Sequence, residues 1–147
     1  MSGDMIHTPE RLKQIIDYSG LTYGNIHPTD IDSLFEFDNE YLILVEVKVK
    51  TPYGVNVPIG QKIAYHNTAI PFAQLRKGAM VVYCTHDTKP EERILLKDTI
   101  IDSIFNASTE ITTNLSTLNI TFKDWLRTLV VHWPNKKLMG IITGDIK

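Results

Sequence analysis

From Tyr41 to Val49 every position is apolar except Glu46 and Lys48. A run without alternation predicts a strand covered on both faces, and so a central one in its sheet. Ile31 to Phe37 predicts the strand before it, with Asp38-Asn39-Glu40 as the hairpin turn. Thr51 to Gly60 contains Pro52, Gly54, Pro58 and Gly60 and predicts a loop. A helix is expected from Gly60-Gln61 toward Arg76, kinked or split in two at Pro71, with Gly78 at its end. Ala79 to Thr85 predicts a third apolar strand, and His86 to Glu92 a polar loop. Ile94 to Lys97 and Thr99 to Phe105 predict further strands. Asn106 to Asn119 is rich in Ser, Thr and Asn and supports no assignment. Thr121 is the expected cap of a last helix reaching about Val131, with Phe122, Trp125, Leu126 and Leu129 on its inner face. At the other end, Thr8-Pro9-Glu10 reads as a helix start, followed by Leu12, Ile15 and Ile16 at helical spacing and a stop at Gly20. Leu21 to Thr29 reads as a loop. The order helix, strand, strand, helix, strand, strand predicts an α/β fold with a central mixed β-sheet flanked by helices.

Composition bounds this picture. The 147 residues suffice for one domain with a real core, and two would be cramped. A hydrophobic share of 43% and a charged share of 22% are those of a globular chain. The net charge of -2 argues against nucleic-acid binding by bulk charge. A binder of that kind would have to concentrate its cations locally. The lone Cys84 excludes an intrachain disulfide and suits a reducing, cytoplasmic setting. The polar N-terminus lacks the apolar stretch of a signal peptide, and no apolar run has the length of a membrane span, so no membrane association is expected.

Candidate chemistry sits on the hairpin. Glu46 and Lys48 stand two apart on a strand and point to one face. Burying charge costs several kcal/mol unless it is paired or bound to a metal. The two could pair directly, but their backbones are about 6.5–7 Å apart, and a shared third partner is easier to arrange. Asp32 supplies one, because 32 and 46 lie about seven residues either side of the Asn39 turn and are nearly opposite. Two carboxylates meeting at one end of a sheet offer the hard oxygen ligands that magnesium prefers. Lys48 would then orient a water or stabilise the transition state. A solvated Glu-x-Lys face is the commoner use of such a pair. The apolar strand and the facing aspartate favour a site. Asp30 is an outer group of that site, a loop cap or simply solvated.

Asp30-Ile31-Asp32, Glu46-Val47-Lys48 and Gly60-Gln61-Lys62 at a helix start together resemble the PD-(D/E)XK nuclease superfamily, in particular its small phage and bacterial endonucleases and resolvase-like proteins. Fourteen residues separate Asp32 from Glu46, within the range of that motif. The similarity runs from about Ile31 to Thr85, with a helix in front. The resemblance implies a restriction-endonuclease-like core. It implies Asp32, Glu46 and the Val47 carbonyl as ligands of Mg2+ or Mn2+, and Lys48 beside the nucleophile, with Gln61 in support. Glu10 would be an accessory acid. The expected activity is hydrolysis of phosphodiester bonds in DNA, in a bacterial or phage-infected cell, by a homodimer. Lys50 and Lys62 are candidate phosphate contacts. An accessory protein that binds nucleic acid without cutting it, or a purely structural domain, would use the same fold.

Overall fold

The structure, a computed structural model, describes residues 16–23, 28–53 and 55–144. The chain divides into two units, residues 1–30 and 31–147. The helix expected from Thr8 lies outside the described residues except at its end. There, residues 16–20 are irregular chain and a turn, and Gly20 takes φ +80°. In the same unit the Tyr18 hydroxyl donates to Asp30 Oδ1 at 2.7 Å.

The second unit is an α/β arrangement built on one mixed sheet of five strands in sequential order. β1 (Ser33–Phe37) and β2 (Tyr41–Val49) form an antiparallel hairpin. Its turn places Asp38 and Asn39 at φ 55° and 60°, and the Glu40 amide closes onto the Phe37 carbonyl. Asp and Asn tolerate this left-handed backbone better than most residues. β2 then enters α1 (Ile59–Leu75), which returns the chain to β3 (Gly78–His86), parallel to β2. β4 (Ile100–Asn106) and β5 (Ile111–Asn114) complete the sheet as antiparallel neighbours.

The apolar run of β2 is buried on both faces, as expected of a covered strand. Its odd positions, Tyr41, Ile43 and Val45, pack with Phe122, Trp125, Leu126 and Leu129 of α2 (Phe122–His132) and Leu138 of α3 (Lys136–Thr143). Its even positions, Leu42 and Leu44, pack with Tyr65, Ala69 and Ala73 of α1. A register shift at Tyr83/Cys84 puts Ile101 and Ile104 of β4 on the same face although their parity differs.

Two expectations are corrected, and two elements lie where none was expected. α1 runs unbroken through Pro71. Pro71 and Asn67, the residue whose carbonyl loses its helical donor, are both exposed, so solvent replaces the missing bond. Ile94 to Lys97 is not a strand: it is irregular chain entering a 3-10 turn, Leu96–Asp98, and Ile94 and Leu95 are exposed with no strand to pair. The unassigned stretch after Asn106 holds β5, and α3 was not anticipated. α3 is capped by Asn135, whose side-chain oxygen accepts from the Lys137 and Leu138 amides at 2.9 and 3.1 Å. The Asn135 amide group also donates to Asp38 and Glu40, tying this helix start to the hairpin turn. Among the described residues no helix is long and apolar enough to cross a membrane.

Candidate functional site

The β1–β2 ladder pairs Ser33 with Val45, so Asp32 is next in line opposite Glu46. Alternation along β2 puts Glu46 and Lys48 on the α1 face with Leu42 and Leu44. Asp32 does not stand free there. Its Oδ2 accepts the Val47 amide at 2.7 Å, just past the end of the ladder. On a strand the amide and carbonyl of one residue face the same neighbour. The Val47 carbonyl therefore also looks toward the edge that Asp32 occupies.

Glu46 is 3% exposed, and its carboxylate is held from two sides. Oε1 meets Lys48 Nζ at 3.0 Å. The direct pair that backbone spacing disfavoured is thus made, because the flexible lysine stem leans along the strand. Oε2 accepts from Gln61 Nε2 at 3.0 Å and from the Tyr65 hydroxyl. Gln61 Nε2 also lies 3.0 Å from the Tyr65 oxygen. One turn of α1 thus sets Gln61 and Tyr65 side by side over β2.

Tyr65 was missed in the sequence, although its spacing of four from Gln61 on a predicted helix was a usable signal. Its phenol is held far above its ordinary pKa, first by burial and then by its bond to Glu46, with a further contribution from the charge of Asp32. It stays a donor at any physiological pH.

Tyr83, paired in register with Glu46 across β2 and β3, adds a second buried phenol. Its pKa too is pushed up, by burial and by the Glu46 charge. Its hydroxyl bonds His66 Nε2 at 3.2 Å, and the His66 ring stacks on Phe105 with centroids 3.7 Å apart. Lys62 lies over the Tyr83 ring, 5.9 Å from its centroid.

Burial, and then the charge of Lys62, hold the His66 pKa below its ordinary value. The unfolded imidazole takes a proton near pH ~6.5, where the folded one still resists. Stability from this group is therefore fully present above that pH and falls as acid is added. Between about pH 7 and about pH 5 the chain is expected to lose stability more steeply than His66→Gln, as read by urea unfolding at each pH. Equal slopes would contradict the assignment.

The other candidates separate. Lys50 is exposed, and its amide extends the parallel ladder to the His86 carbonyl at 2.7 Å. It lines a cleft of about 450 Å³ with Thr85, His86, Arg93, Asp98 and Ile100, which opens where β2 ends. Asp87 and Glu92 also face this cleft, so its acids outnumber its cations and charge alone does not make it a phosphate cradle. Asp30 belongs to the N-terminal unit, and Glu10 lies outside the described residues.

Among the described residues no group of three or more His, Cys, Asp or Glu side chains converges. The donor set at this end of the sheet is two carboxylates and one carbonyl. Few protein ligands and hard oxygens are what magnesium takes, alongside retained water. Cys84 is buried, with its thiol pushed up to about 12 by burial, and supplies neither a ligand nor a nucleophile. The chain matches no protein-family model, no curated protein and no solved structure.

Proposed function

We propose that the chain is a divalent-metal-dependent nuclease of the PD-(D/E)XK kind, hydrolysing phosphodiester bonds in DNA. One observation carries the reading. Asp32 and Glu46 come from opposite positions of one hairpin, with the Val47 carbonyl facing the Asp32 edge and Lys48 in contact with Glu46. The order strand, strand, helix, strand over Ser33–His86 falls on the stretch that carries the resemblance, which supports a restriction-endonuclease-like core.

In this reading Asp32, Glu46 and the Val47 carbonyl hold Mg2+ or Mn2+. An ion held there would polarise the phosphodiester and acidify a water. Lys48 turns from Glu46 to the attacking water and to the charge that builds on phosphorus. Gln61 keeps Glu46 in place. Lys50 and Lys62, exposed at the same end of the sheet, contact flanking phosphates. Action on branched DNA by a homodimer extends the proposal on resemblance alone.

A second reading, a nucleic-acid-binding accessory protein without cleavage, is favoured by one observation. Both oxygens of Glu46 already have partners within the chain. Incubation of the purified chain with linear and branched DNA, with Mg2+ or with a chelator and with Glu46→Gln as control, separates the two. Metal-dependent cutting supports the nuclease, and intact DNA under every condition supports the accessory protein.

A further inference from the structure

We propose that the apolar groove between β1, α2 and α3 docks a protein segment in which large apolar side chains stand next to carboxylates. The proposal goes beyond cleavage and does not rest on the nuclease reading.

The groove lies on the face of the sheet turned away from Glu46. Phe35, Leu96, Phe122 and Ile142 line it, and its volume is about 280 Å³. Phe35, Leu96 and Ile142 are only partly buried against the core. The described sheet does not close the groove, because β1 is its outermost strand. Small-molecule sites enclose about 300–1,000 Å³, so this hollow is sized for an anchoring side chain. Fully burying such a side chain is worth roughly tenfold to a hundredfold in affinity.

The rim decides the chemistry of the occupant. Lys97, exposed on the 3-10 turn, and Lys123, at the second position of α2, are the only charged residues among the described lining. Neither has an ion-pair partner among the described residues. Asp124 pairs with Arg127, and Asp98 lines the separate cleft at the end of β2. Two cations beside an apolar floor repel a basic segment and draw an acidic one. The chain as a whole carries -2, so this attraction is local to the rim. An aliphatic or aromatic anchor with flanking carboxylates matches floor and rim together. A lipid surface fits less well, since insertion takes apolar side chains that protrude, and here they line a hollow.

The test is fluorescence anisotropy of a labelled peptide of alternating aspartate and phenylalanine, titrated with the full chain. Versions with lysine for aspartate and with serine for phenylalanine run beside it. The acidic apolar peptide is expected to bind saturably, and both altered peptides at least about tenfold more weakly. Lys97→Glu combined with Lys123→Glu should weaken binding about tenfold. Lys89→Glu combined with Lys136→Glu changes the total charge equally at exposed positions outside the groove, and should cost less than about twofold. Equal weakening by the two double variants would mean bulk charge and would overturn the proposal. Equal binding of either altered peptide would also overturn it, as would no binding of the acidic one. A concentration-dependent dimer lost in the Lys97→Glu, Lys123→Glu variant would give the groove to a second copy instead. Binding to vesicles of phosphatidylglycerol and phosphatidylcholine in equal parts, without binding of the peptide, would give it to lipid. None of these readouts involves DNA or metal, so failure here leaves the nuclease reading standing.

Discussion

Glu46→Gln is expected to abolish metal-dependent cleavage while the fold survives. The substitution keeps the shape of the side chain and an oxygen for Tyr65 and Gln61 to donate to, but removes the charge. It then sets an amide group against Lys48, which swings to solvent from its 33% exposed position. Relieving a buried charge costs the fold little when the remaining partner can reach water. The chemistry has no such relief. A metal's stabilisation of the transition state is worth several kcal/mol, and each ~1.4 kcal/mol is tenfold in rate. Cleavage of DNA should fall by roughly a thousandfold or more, measured as single-turnover rates with saturating Mg2+. A variant that cuts within tenfold of wild type would remove Glu46 from the site.

The largest effect on stability is expected at Trp133. Its ring is 7% exposed and stacks on Tyr41 with centroids 4.5 Å apart. The ring edge lies over Gly78, so close that an added Cβ there would sit 3.0 Å from Trp133 Cζ2. It closes the corner between α2 and α3 against the start of β2 and β3. Trp→Ala in a core costs about 3–5 kcal/mol, a large part of the ~5–15 kcal/mol that holds a domain folded. Trp133→Ala should lower the urea midpoint accordingly, and a loss under about 1 kcal/mol would show that the corner repacks. Trp133 packs on the opposite face of the sheet from Glu46, so metal affinity of the folded variant should not change.

Legibility followed burial. β2 and α2 were plain in the sequence because each buries a continuous or periodic set of apolar side chains, and the structure keeps Phe122, Trp125, Leu126 and Leu129 inside as the periodicity required. β5 was not legible because all four of its residues are exposed and its side chains make no pattern. Ile94 and Leu95 misled for the opposite reason, being apolar residues that remain 48% and 54% exposed. α3 escaped notice because it is only eight residues long and buries only Leu138 fully.

At the candidate site, Asp32, Glu46, Lys48 and Gln61 were legible because charge and amide groups stand out against an apolar strand and a helix start. Tyr65 was not, since a tyrosine in a helix usually reads as core. Only the strand facing it turns its hydroxyl into a partner of Glu46. The bond from the Val47 amide to Asp32 depends on where the ladder stops, which no residue pattern marks.

The most direct measurement is a crystal of the chain soaked in manganese and recorded at the manganese absorption edge. One anomalous peak is expected between the carboxylates of Asp32 and Glu46 and within ligand distance of the Val47 carbonyl. A well-ordered crystal with no peak there at millimolar manganese, and with Lys48 still seated on Glu46, would contradict the account.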